Sequence, residues 1–144
     1  MRNANVPEKQ PIQFFVSYMP VSYLACAWLL LALLWILPAC HGSEQQANNL
    51  TGGNAARGVV SIRKYGCGSC HTIPGVTGAH SKVGPNLSDL ADRSYIAGVL
   101  TNSPDHLMEW IQNPQAVDDK TAMPNMGVSS RDARDIAAYL YSLR

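Results

Sequence analysis

Charge is scarce in this sequence. Asp, Glu, Lys and Arg make up 15% of its 144 residues, well under the ~25% usual for soluble chains. The deficit is concentrated, because no charged residue lies between Phe14 and Ala39. Neither sign dominates the rest. From His41 onward nine Lys/Arg stand against nine Asp/Glu, and that neutrality argues against the clustered positive surface that nucleic-acid binding needs. Cysteine is also sparse. Four residues are too few for a disulfide scaffold, and none follows Cys70. There is no internal repeat, no long low-complexity tract, and no stretch that alternates convincingly enough for a sheet. The length allows one small domain plus an appendage, not two full domains.

The uncharged stretch comes near the N-terminus, after Arg2, Glu8 and Lys9. Its densest part, Leu24 to Leu37, reads LACAWLLLALLWIL, holds Trp28 and Trp35, and stops at Pro38. The full uncharged span is long enough to cross a bilayer, which takes about 20 apolar residues. A buried core helix explains it less well, because such helices rarely lack a polar face. Positive charge before the span and only Glu44 shortly after it predict that the downstream domain lies outside the cytoplasm, on the periplasmic side. Residues 1–40 are therefore expected to be a signal peptide or membrane anchor. Two forms of anchor remain open. Leu37-Pro38-Ala39-Cys40 resembles a bacterial lipoprotein box, with Cys40 as the lipid-bearing residue and Pro38 as a departure from the pattern. The other form is an uncleaved signal anchor with Cys40 as an incidental thiol. Cys26, inside the run, reads as a small hydrophobe. Residues 41–53, HGSEQQANNLTGG, lack any apolar period and are expected to be a flexible linker.

The central motif is Cys67-Gly68-Ser69-Cys70-His71. Two thiols three residues apart on a turn can each add to a vinyl group of one haem, and the adjacent histidine then reaches the iron on the same face. This is the attachment signature of a c-type haem. A zinc site would need a second pair of ligands, and no cysteine remains downstream to supply one. A thioredoxin-like dithiol needs a βαβ context, which is lacking. Export agrees independently, because covalent haem is attached outside the cytoplasm in bacteria. For the sixth iron position the downstream chain offers Met108, Met123, Met126, His80 and His106. Thr121 to Gly127 reads as a loop from its Pro, Asn and Gly content, and a loop can present a thioether to a flat cofactor. Met108 falls on a helical apolar stripe and reads as packing.

The flanking chain predicts helices. Ala55, Val59 and Ile62 share one face of a helix over Asn54 to Tyr65. Ser103-Pro104 starts a second, with Leu107, Met108 and Ile111 on its apolar face, and Asn113-Pro114 ends it. Ser129 or Ser130 caps a third, along which Ala133, Ile136, Ala137, Leu140 and Leu143 repeat at helical spacing. The expected fold is all-α, a small domain over residues 54–144 whose core is completed by haem.

On these motifs the chain resembles the class I cytochromes c over Asn54 to Arg144. Gly58 lies nine residues before Cys67, where many bacterial members have the glycine that lets the first and last helices touch. Tyr139 and Leu140 resemble the aromatic–Leu pair that packs there. Gly84-Pro85-Asn86-Leu87 resembles the segment whose proline carbonyl accepts the N–H of the proximal histidine, here His71. Leu107 to Pro114 resembles the helix that ends in Asn-Pro, and Met123 follows Pro114 by nine residues, the family's interval to the axial methionine. The resemblance thus implies His71 and Met123 as iron ligands, with Trp110 as a haem-packing aromatic. It also implies Arg93, with Tyr95 assisting, as a partner for a propionate. Mitochondrial members have a propionate-bonding tryptophan near Asn102 and a ring of lysines, and both are lacking here. Docking would then rely on an apolar rim near Gly68, Ile73, Pro74 and Met126.

The implied function is one-electron transfer by one covalent haem c between a redox donor and acceptor, with no small-molecule substrate. The sequence is similar to membrane-bound bacterial cytochromes and to cytochrome c domains attached to terminal oxidases. A permanent haem subunit of an oxidase or dehydrogenase is the second reading. A haem peroxidase or sensor is the third, and the well-spaced Met123 argues against its open iron site.

Overall fold

A computed structural model describes residues 42–143. The anchor expected over residues 1–40, with Cys40, lies outside the described residues. Within them no helix is long and apolar enough to cross a membrane. Five α-helices follow in order: α1 (Gly42–Thr51), α2 (Ala55–Lys64), α3 (Pro104–Gln112), α4 (Pro114–Val117) and α5 (Ser130–Ser142). Short 3₁₀ turns cover Cys67–Ser69 and Leu90–Asp92. One small hairpin interrupts the helical pattern, with β1 (Tyr95–Ile96) antiparallel to β2 (Leu100–Thr101).

The three expected helices start where their caps place them. The Asn54, Ser103 and Ser129 side chains accept the N–H of Arg57, His106 and Asp132 respectively, each satisfying a donor that the first turn leaves free. Helix α3 ends at Gln112, and Pro114 then opens the extra turn α4 rather than closing the element for good. The hairpin was not legible as a sheet, because two residues per strand are too few to show alternation. Its three-residue loop, residues 97–99, closes with the Val99 N–H on the Ile96 carbonyl at 3.1 Å and places Ala97 and Gly98 at φ +52° and +76°, the left-handed geometry of a type I′ turn.

Helices α2 and α5 cross at Gly58, and the approach is backbone on backbone. A Cβ at Gly58 would lie 2.2 Å from the Asp135 carbonyl oxygen and 2.8 Å from Tyr139 Cβ. Beside that contact Asp135, 2% exposed, accepts from Arg57 Nε at 2.7 Å, Arg57 Nη2 at 2.8 Å and the Asn54 N–H at 2.7 Å. Three donors on one carboxylate offset its removal from water. Ile62, 1% exposed, fills the next layer and contributes roughly 1.5–3 kcal/mol by burial.

The segment expected to be a flexible linker is instead helix α1 over Gly42–Thr51. Ala47 and Thr51 are buried, and Asn48 Oδ1 accepts the Ala55 N–H at 2.7 Å, so α1 also helps to cap α2. Its apolar signal is too thin for periodicity to find, since the contact with α5 uses one alanine and one threonine. Helix α5 buries more than its predicted stripe because α1, α2 and α3 all pack against it. Asp135, Ala138, Tyr139 and Tyr141 are buried along with Ala133, Ile136, Ala137 and Leu140.

At the other end of the crossing, Asp132 Oδ2 accepts from Lys64 Nζ at 2.9 Å and from the Tyr65 hydroxyl at 2.7 Å. Lys64, and next Tyr65, hold this carboxyl down at about 2, below its ordinary 3.8. A depressed carboxylate stabilises the fold above its unfolded pKa and loses that contribution as pH falls through the folded value. Thermal unfolding followed from pH 4 to pH 2 should therefore show a loss of stability that is smaller in Asp132→Asn.

Candidate functional site

A cleft of about 580 Å³ opens between the Cys67–His71 turn, the Val83–Leu87 segment, the hairpin, α3 and the Thr121–Met126 loop. Its wall is mainly apolar, with Ile62, Leu90, Ile96, Leu107, Ile111 and Leu140 contributing from separate elements. Cys67, Cys70, His71, Pro85, Arg93, Trp110 and Met123, which the sequence singles out, all line it. His80, His106 and Met108 do not.

The cysteine turn is set by Gly66, at φ +68°, and by a close approach at Gly68. A Cβ at Gly68 would lie 2.9 Å from Ala79 Cβ, so only glycine lets the 72–80 loop close over the motif. Both thiols are free and half-buried, and burial pushes the Cys67 thiol up. The His71 N–H pairs with the Cys67 carbonyl at 3.0 Å, which places cysteines and histidine on one turn.

His71 is held on two sides. Its Nδ1 lies 2.7 Å from the Pro85 carbonyl oxygen. A carbonyl only accepts, so Nδ1 carries the proton and donates, and Nε2 is left with a free lone pair. Gly84 packs against the ring, and a Cβ there would lie 2.5 Å from Cε1 and 2.8 Å from Nδ1. Gly84 in turn donates its N–H to the Cys70 carbonyl at 2.7 Å. The sequence marks the Gly84–Leu87 segment through Pro85 but gives Gly84 no role of its own, because its signal lies in the absence of a side chain. A histidine fixed in this tautomer is a prepared metal ligand, its ring oriented by the carbonyl.

Met123 and Met126 both line the cleft. Met123 is half-buried and Met126 is 44% exposed, so the burial pattern agrees with the spacing. Arg93 also lines the cleft, and its Nη2 bonds two backbone carbonyls, those of Asn86 and Ser88. The apolar rim differs from expectation. Ile73 is 2% exposed and Gly68 and Pro74 do not line the cleft, whereas Met126 is open to solvent at its edge as expected, joined by the large side chains of Val83 and Tyr95. Among the described residues no three His, Cys, Asp or Glu side chains converge as a metal cluster.

The donor set fits a covalently held haem. Two thiols sit at one edge, an imidazole of fixed tautomer stands beside them, a thioether lies on the cleft wall, and the volume is that of a cofactor site. The family described as cytochrome c oxidase, cbb3-type, subunit III matches residues 53–140. The chain belongs to this family. As a member of the cbb3-type subunit III family it is a c-type cytochrome related to terminal oxidases, and the family implies covalent haem c and haem-based electron transfer. It is 30% identical over 105 residues to a cytochrome c oxidase subunit 2 of Alkalihalophilus pseudofirmus, covering 72% of this chain and 30% of that protein. It is 29% identical over 88 residues to a cytochrome c oxidase subunit 2 of Bacillus sp., covering 58% of this chain and 25% of that one. The chain thus spans less than a third of either relative's length. No solved structure matches it significantly.

Proposed function

We propose that this chain is a membrane-tethered, one-electron carrier with a single His/Met-ligated haem c, working beside a terminal oxidase on the periplasmic side. The observation that carries the reading is the convergence of Cys67, Cys70, His71 and Met123 on one cleft, with His71 already fixed by Pro85. When bound, the haem supplies an iron that alternates between its ferric and ferrous states.

The residues of the chain do the rest. Cys67 and Cys70 would hold the group covalently, and His71 and Met123 would supply its iron with an imidazole and a thioether, a donor pair that suits electron transfer and raises the potential. Pro85 keeps the Nδ1 proton of His71 in place. The apolar wall excludes water and keeps the surroundings at low dielectric, which tunes the potential further. Trp110 packs from α3. The open edge at Val83, 82% exposed, offers a donor or acceptor protein a short approach to the cleft. An N-terminal anchor, by lipid on Cys40 or by the apolar span, raises the local concentration of the domain near its membrane partners.

The similarity to oxidase subunits favours a resident position in an oxidase complex as the second reading. One fractionation tests both. Membranes are solubilised gently, resolved on a native gel, stained for haem and oxidase activity, then run on a denaturing second dimension. The haem stain should persist at this chain's size after denaturation and vanish in a Cys67→Ala/Cys70→Ala variant. Absence of a persistent stain in the unmodified protein would refute the haem assignment. Migration with oxidase activity identifies a resident subunit, and migration alone a tethered shuttle.

A further inference from the structure

The Pro85 carbonyl that fixes His71 sits on an exposed stretch of chain, because Pro85 and Asn86 are both solvent-exposed. Proline has no N–H with which to anchor itself. The neighbouring amides are tied down, Gly84 to the Cys70 carbonyl at 2.7 Å and Leu87 to the Thr72 carbonyl at 2.9 Å. The next two carbonyls beyond Pro85 with an assigned side-chain partner, those of Asn86 and Ser88, both accept from one nitrogen, Arg93 Nη2, at 2.5 and 2.8 Å. One planar guanidinium therefore grips the segment that carries the His71 acceptor.

Arg93 is itself braced. Its carbonyl accepts from Asn102 Nδ2 at 2.8 Å, and the same nitrogen donates to the Leu90 carbonyl at 2.7 Å. Asn102 Oδ1 accepts from the Tyr141 hydroxyl at 2.6 Å. Tyr141 is 6% exposed on α5, so the chain of bonds runs from a core helix to an exposed loop. Asn102 closes the circuit with its own N–H on the Ser94 carbonyl at 3.0 Å. Every polar atom of its side chain is used, which makes it a rigid joint rather than a solvated turn residue.

We propose that Arg93, braced by Asn102 and Tyr141, is a positioning residue that fixes the Pro85 carbonyl against the His71 ring. Its function is then mechanical and reaches the iron ligand through the backbone, which differs from a charge directed at a propionate. The proposal deepens the haem reading and rests on His71 being the ligand. Burial pushes the Tyr141 hydroxyl up to about 12, so this brace stays a neutral donor throughout the ordinary pH range.

The test is the solvent-exchange rate of the His71 Nδ1 proton, followed by nuclear magnetic resonance on the ferrous holoprotein, alongside the midpoint potential. Arg93→Gln removes the grip. Tyr141→Phe removes the brace and keeps the Arg93 charge. Exchange should rise about tenfold in Arg93→Gln, as expected for loss of a hydrogen bond to a charged group, and rise less in Tyr141→Phe. The double variant should exceed Arg93→Gln by little, because both changes act on one chain of bonds. A potential that moves while exchange stays at the wild-type rate would overturn the proposal and leave Arg93 acting by charge alone. Unchanged exchange in either single variant would overturn it too. Failure of the haem reading shows separately, as an unmodified protein without a haem absorption spectrum.

Discussion

Replacing Met123 by alanine is expected to lower the midpoint potential by on the order of 100 mV or more, a fraction of the ~0.8 V over which axial ligands set haem potentials. If Met123 ligates the iron as proposed, its thioether favours the ferrous state and its loss would leave a position open. Carbon monoxide should then bind rapidly to the reduced variant and slowly, if at all, to the unmodified protein. The loop that carries Met123 is pinned on both sides, which is why a substitute ligand should not swing in. The Met123 N–H pairs with Thr121 Oγ1 at 3.2 Å, Asn125 Nδ2 reaches Asn113 Oδ1 at 3.3 Å, and the Gly127 N–H returns to Asn125 Oδ1 at 2.9 Å. Met126→Ala is the control and should leave the potential nearly unchanged. If the two variants exchange these behaviours, the ligand is Met126 and the spacing argument is wrong.

Gly58→Ala should cost at least ~3 kcal/mol of stability, the upper part of the range for overpacking a close contact. Intrinsic helix propensity works the other way, favouring alanine by about 1 kcal/mol, so the measurement decides which effect wins. Contact geometry gives the answer expected here. The added Cβ would sit 2.2 Å from the Asp135 carbonyl oxygen and 2.8 Å from Tyr139 Cβ. The nearer atom is backbone and cannot rotate away, so α2 and α5 must separate. For a domain of this size the thermal midpoint falls by about 4–8 °C per kcal/mol. Gly42→Ala, with nothing within 4 Å of its added Cβ, should leave the midpoint nearly where it was. An unchanged midpoint in Gly58→Ala would mean that the two helices can slide apart at little cost.

The parts of the fold that the sequence made legible are those with a local chemical signal. Caps at Ser103 and Ser129 start helices because a side-chain oxygen must satisfy a free N–H, and that requirement is written in single residues. Motif and spacing point to Cys67, Cys70, His71 and Met123, the family resemblance adds Pro85, Arg93 and Trp110, and all seven line one cleft. What escaped has no local signal. Helix α1 earns its order from a tertiary contact through Ala47 and Thr51, and its most hydrophobic residue, Leu50, points to solvent at 56% exposure. The role of Gly84 depends on what a side chain would strike, and the contacts of Arg93 depend on where two distant turns meet. Ile73 was expected on the docking rim from its nearness to the motif in sequence, yet its side chain turns inward to the core.

Helix α1 also changes how the domain can search for a partner. Ten residues of coil would span roughly 17 Å root-mean-square and let the domain tumble through every angle. As a helix the same ten residues span about 15 Å, nearly the same distance, but turn as one body with α5. The difference is angular. The chain leaves the domain at Gly42, a fixed point on its surface, and the open edge at Val83 keeps a constant bearing from that point. A partner placed on that bearing from Gly42 would meet the open edge face-on.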